Sequence, residues 1–191
     1  ALFAARRRGH RGGHRPRGSR DGGGGISIRH SDNTSLLHAT IANNYSYGPG
    51  GGIYVYGSNP LLVDVSIVNN SNGEAFGGGV ELFNSNAVLL DVLISGNYSQ
   101  GCGGGISIQN SHAIIQNAII SSNTVEGTPS LSDNFGTGGA MCIGLSNPII
   151  NNATIANNLS SNEGTVASLI QSDPIFTNSI LWNNSSISNF P

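Results

Sequence analysis

Apolar and polar positions alternate along most of this chain in short runs, and the runs return at a fixed interval. Following clusters of glycine, Ile26, Ile53, Val80, Ile106, Met141 and Ala167 form one column. Two residues on, Ile28, Val55, Leu82, Ile108, Ile143 and Leu169 form a second. A period of two predicts strands with these columns facing inward. The residues between them, Ser27, Tyr54, Glu81, Ser107, Cys142 and Ser168, are predicted to face outward. Further along each unit lie apolar columns at Leu36, Leu62, Leu89, Ile115, Ile150 and Phe176 and at Ile41, Ile67, Ile94, Ile120, Ile155 and Leu181. Small residues from Ala39 to Ser179 stand between them, which predicts a tight corner.

Two polar anchors keep the register. A serine recurs at Ser31, Ser58, Ser85, Ser111, Ser146 and Ser172, at intervals of 27, 27, 26, 35 and 26 residues. An asparagine recurs at Asn44, Asn70, Asn97, Asn123, Asn158 and Asn184, at 26, 27, 26, 35 and 26. Two or three short strands per repeat, with no helical period, predict an all-β solenoid in which each repeat is one coil. One repeat cannot bury its own apolar face, so the fold is expected to be a single-stranded parallel β-helix of about six coils of 26–27 residues. Stacked at the strand spacing, six coils make a rod of about 29 Å. The asparagine column is expected to form a buried amide ladder, with asparagine also tolerating left-handed backbone at the bend. Glycines permit the other corner.

Composition agrees with this picture. Charged residues are 9% of the chain, aromatics 6%, and there are 28 glycines. Charge divides the chain in two. All eight cations are arginines between Arg6 and Arg29, whereas from His30 onward there are carboxylates but neither Lys nor Arg. The expected organisation is therefore a basic Arg/Gly-rich segment at 1–21, disordered or artefactual, followed by the β-helix at 22–191. The fourth coil carries an insertion loop at 124–137. An acidic body does not suit nucleic acid, whose phosphates need cations. No apolar run is long enough for a transmembrane helix. The segment 1–21 lacks the apolar stretch of a secretory signal, and it leaves the first coil poorly covered, which invites end-to-end self-association.

GGGIYVYGSNPLLVDVSIVNN at 50–70 and NSILWNN at 178–184 resemble bacterial right-handed parallel β-helix repeat proteins of the pectate-lyase-like superfamily. IVNNSNGEAFGGGV and LISGNYSQGCGGGI also resemble the chlamydial polymorphic outer-membrane protein repeat. The resemblance implies a right-handed coil and a secreted or bacterial cell-surface location, with many relatives adhesin-like. Pectate lyases and polygalacturonases share the fold and are enzymes. The Asn-Thr-Asp, Asp-Asp, Gly-His-Gly and Arg-x-Lys pieces of polygalacturonases are absent here. The body has no arginine beyond Arg29 to serve as a lyase base.

Three groups of residues stand out from the repeat. Tyr54, Tyr56 and Phe83, with Glu81 beside them, are expected to form an outward cluster that stacks on sugar rings. Plain cross-strand packing is the competing reading. Asp64 and Asp91 share a column with His38, Asn117 and Asn152 and are expected ~5 Å apart. Such a pair is a candidate for acid–base catalysis, with Glu81 a third candidate carboxylate, or for calcium; the competing reading is a polar bend facing water. Cys102 and Cys142 fall in different columns of adjacent coils, about five positions apart, which argues against a bridge unless the loop folds back.

The expected function is a non-enzymatic extracellular stalk or adhesin-like surface binding polysaccharide or host glycans. The alternative is a polysaccharide lyase or glycoside hydrolase. An ice-binding reading fails on the mixed column Thr40, Ser66, Leu93, Ile119, Thr154 and Ile180.

Overall fold

A computed structural model describes residues 2–3, 22–73, 75–127, 137–162 and 164–186. Apart from the backbone of Leu2–Phe3, the segment 1–21 lies outside the described residues, as does 128–136 of the insertion.

The glycine-led alternation becomes the first strand of each coil. Ile26–Arg29, Ile53–Tyr56, Val80–Phe83, Ile106–Gln109, Met141–Gly144 and Ala167–Ile170 stack in that order as a parallel sheet. Its register sets Ile53 between Ile26 and Val80, and Met141 between Ile106 and Ala167, as the columns predict. The second sheet begins with Ser35–Ala42 and Leu61–Val68. From the third coil onward each strand breaks in two at the bend, as in Val88–Leu90 and Leu93–Ser95. A third sheet is built from two-residue strands, from Tyr45–Ser46 to Ser185–Ser186. The result is a right-handed parallel β-helix of six coils. Its interior is filled by the predicted columns; Ile53, Leu62, Ile67, Leu89, Ile94, Ile106, Ile115 and Ile120 are all fully buried.

Every coil turns through four left-handed residues, one of them in the glycine cluster, from Gly23 to Gly164, and three elsewhere. Of those three, the first precedes the serine anchor, at His30, Gly57, Asn84, Asn110, Leu145 and Gln171. The second is His38, Asp64, Asp91, Asn117, Asn152 and Asn178. The third precedes the asparagine anchor, at Asn43, Asn69, Gly96, Ser122, Asn157 and Asn183. The two roles expected of one asparagine are therefore divided between neighbours. The first residue of the pair takes the positive φ, which Asn tolerates better than most. The second supplies the buried amide.

That amide ladder is continuous. Asn44, Asn70, Asn97, Asn123 and Asn158 each donate Nδ2–H to the Oδ1 of the next asparagine at 2.8–3.1 Å. Each backbone N–H donates to the same oxygen. The serine anchors form a second ladder. The N–H of Ser31, Ser58, Ser85, Ser111 and Ser146 donates to the hydroxyl of the serine one coil on. That hydroxyl in turn donates to the carbonyl two residues before its own, as Ser58 does to Tyr56 and Ser85 to Phe83. Both ladders satisfy backbone groups at corners where the sheets cannot.

Candidate functional site

The aromatic residues singled out from the sequence do converge. The Tyr56 and Phe83 rings stack with centroids 5.7 Å apart and planes 15° apart. Tyr54 stacks beside Tyr56 at 6.3 Å, and His30 meets Tyr56 edge-on at 5.1 Å. The parallel register forces this, because Tyr56 pairs directly with Phe83 and Tyr54 with Glu81. The Arg29 guanidinium lies 4.9 Å from the centre of the Tyr54 ring, a cation–π contact.

Exposure divides the cluster. Phe83 is 38% exposed and Tyr56 half-buried, but Tyr54 is at 9% and Glu81 at 2%. The expectation that Tyr54 and Glu81 stand open to ligand is corrected. They point away from the core, but the loop that leads into the glycines folds back over this part of the first sheet. Gly22 packs so closely on the following coil that a Cβ there would sit 2.9 Å from the Tyr54 ring.

Under that cover runs a polar row, buried at Ser107 and Glu81 and half-buried at Gln109. Gln109 donates to the Ser107 hydroxyl at 3.2 Å, and Ser107 hydrogen-bonds the Glu81 carboxyl. The carboxyl's Oε2 is buried without a protein partner. Desolvation pushes the Glu81 pKa up to about 8, opposed by the Ser107 hydrogen bond. Burial also raises the Tyr54 hydroxyl, which Arg29 partly offsets.

The same fold-back explains the cysteines. Cys102 and Cys142 form a disulfide with Cα atoms 5.6 Å apart, correcting the expectation that their columns stand too far apart. Cys102 immediately precedes the glycines of its coil, and the loop lays it against the outward column of the next. Both cysteines are buried, and Thr137 Oγ1 is 3.3 Å from Cys102 Sγ.

Asp64 and Asp91 do share a column, at the second left-handed corner, with φ of 53° and 54°. Each carboxylate has its own partner. Asp64 Oδ2 lies 2.9 Å from Nδ1 of His38, both largely exposed, and Asp91 Oδ1 accepts from Asn117 Nδ2 at 2.9 Å. Asn152 continues the row by donating to Asn117 at 3.3 Å. His, Asp and Asn recur here because the backbone needs a residue that accepts positive φ. Among the described residues no group of three or more His, Cys, Asp or Glu could hold a metal ion.

A family model described as right handed beta helix region matches residues 17–130, more than half of the chain. The chain belongs to that family. No curated protein matches it. Membership in the right-handed beta helix family accords with the resemblance to the pectate-lyase-like superfamily.

On this beta-helix the sequence reading missed one aromatic pair. Tyr45 and Tyr47 are 50% and 71% exposed and meet edge-to-face at 5.2 Å on the third sheet's corner. Two residues apart on an extended segment, they project to one side. The alternation in Tyr45-Ser46-Tyr47 was the available signal. Among the described residues no helix is long and apolar enough to cross a membrane.

Proposed function

We propose that this beta-helix is a non-enzymatic surface module, an adhesin-like stalk whose Tyr56–Phe83 rings bind glycans outside the cell. The observation that carries the reading is the stack of those two rings, with Phe83 partly open to solvent and Tyr54, under the Arg29 guanidinium, stacked beside Tyr56. Rings held by a rigid sheet lose little freedom on binding, which favours weak contacts to sugar faces. The disulfide supports an oxidising, extracytoplasmic location. The candidate carboxylates support binding over turnover. Asp64 and Asp91 serve a backbone corner with their own partners, and Glu81 is under cover.

A glycan array probed with the wild type, Tyr56→Ala and Phe83→Ala tests this. Binding should fall roughly three- to tenfold with each ring removed, the worth of one aromatic contact. Absence of any bound glycan, or binding indifferent to both rings, would sink the proposal. Cleavage of a bound polysaccharide would instead favour a lyase or glycoside hydrolase.

A further inference from the structure

We propose that the outer face of the third sheet holds a second carbohydrate-binding site, a platform for a neutral, extended glycan chain lying along the solenoid axis. It takes its class of ligand from the reading above and shares none of its residues.

The site is built on one column. Parallel register aligns Tyr45, Ser71, Tyr98 and Thr124 on the first four coils. In each two-residue strand the next residue, Ser46, Asn72, Ser99 or Val125, is the buried one, so the column itself faces outward. A coil stacked ahead of the first would extend this column and leave its outer face open. Tyr45 and Tyr98 are two coils apart, about 10 Å at the strand spacing. Rings that cover a sheet by packing on one another occupy adjacent coils, as Tyr56 and Phe83 do at 5.7 Å. Tyr45 and Tyr98 instead have Ser71 between them, whose short polar side chain leaves room above it.

Each ring is fixed in place. Tyr45 meets Tyr47 edge-to-face at 5.2 Å. Both lie over Gly73, where a Cβ would come within 3.2 Å of the Tyr45 hydroxyl and 3.7 Å of the Tyr47 ring. Tyr98 leans over its next coil in the same direction. Its hydroxyl donates to Glu126 Oε2 at 3.1 Å, and Glu126 stands 28 residues beyond Tyr98 as Gly73 does beyond Tyr45. Gln100 bonds the same hydroxyl. Rings held this way lose little freedom when a sugar stacks on them.

The groups beside the rings define the ligand. Ser71, Gln100 and Glu126 present a hydroxyl, an amide and a carboxylate to sugar hydroxyls. The charge among them is negative, and no Lys or Arg follows Arg29 in the sequence, so an acidic sugar meets repulsion and no cation. Two coil spacings match about one disaccharide of an extended chain, so Tyr45 and Tyr98 take the first and third sugars of a run.

The test uses the full chain carrying Tyr56→Ala and Phe83→Ala, which lacks the rings of the first reading. It is titrated calorimetrically with hexasaccharides of β-1,4-linked glucose, N-acetylglucosamine and galacturonate. A neutral hexamer should bind and the galacturonate should not. Adding Tyr45→Ala or Tyr98→Ala should weaken binding roughly three- to tenfold each, the worth of one ring. Tyr45 is 50% exposed, so its loss leaves the core intact, and circular dichroism checks the fold of the Tyr98 variant. If the wild type binds a neutral hexamer and the doubly substituted background does not, the first reading stands and this one falls. Binding indifferent to both Tyr45 and Tyr98, or equally strong to galacturonate, also overturns it.

Discussion

Asn123 donates to Asn158 Oδ1 at 3.0 Å across 35 residues of sequence, at the same distance as Asn97 donates to Asn123 across 26. The longer fourth coil is accommodated wholly outside the ladder. Asn123 is fully buried and also holds the Ile94 carbonyl and the backbone N–H of Asn97. Asn123→Ala strands several of these groups at once, so it should lower unfolding free energy by about 3 kcal/mol or more. Asn86 also links two coils, accepting from His112 N–H, but in solvent. Asn86→Ala should cost no more than about 1 kcal/mol. Urea denaturation of both variants measures the contrast; equal losses would mean that the buried amides matter no more than exposed ones.

Glu81 gives stability a pH dependence with a definite sign. Its folded pKa is raised to about 8, above the ordinary carboxylate value of 4.5. The folded state therefore holds a proton that the unfolded chain releases above 4.5. Stability from this group is complete below 4.5 and is lost as pH rises toward 8. The loss by pH 7 is on the order of 3 kcal/mol. Glu81→Gln cannot ionise and should flatten the profile, with its denaturation midpoint exceeding the wild type's most at pH 8 and least at pH 4. Parallel profiles for the two proteins would show that Glu81 is not the group responsible.

What the sequence makes legible is what stacking repeats. Ile53, Val80 and Ile106 could be assigned to the core because a coil offers each column one environment, and six copies average out local accidents. The asparagine ladder was readable for the same reason. Contacts that couple one coil's loop to the next coil's sheet were not. Nothing in the spacing of Cys102 and Cys142 says that the loop folds back, and the same fold-back hides Tyr54 and Glu81. The split of duties between Asn69 and Asn70 was also hidden, because both residues are asparagine while one serves backbone geometry and the other hydrogen bonding.

The disulfide ties two coils whose cysteines are 40 residues apart. Constraining a loop of that length in the unfolded chain is worth about 4 kcal/mol in the chain-entropy account. Cys102→Ser with Cys142→Ser should lower the denaturation midpoint accordingly. Because both sulfurs are buried, added dithiothreitol should leave the native wild type oxidised and act only through unfolding. Free thiols appearing in native protein at a rate independent of denaturant would contradict that burial.

The aromatic stack separates two kinds of tyrosine that look alike in sequence. Tyr54 is at 9% exposure, with Arg29 over its ring and Gly22 packed against it. Tyr54→Ala opens a void beneath the loop and removes the cation–π contact, so it should cost about 3 kcal/mol of stability. Tyr56 is half-buried between His30 and Phe83 at the surface. Tyr56→Ala removes ring contacts worth about 1 kcal/mol and leaves water where the ring stood. Thermal melts should therefore rank Tyr54→Ala well below Tyr56→Ala, whereas glycan binding measured on folded protein should rank them the other way. A variant at Tyr54 that kept full stability and lost binding would place the ligand under the loop, against Glu81, rather than on the exposed rings.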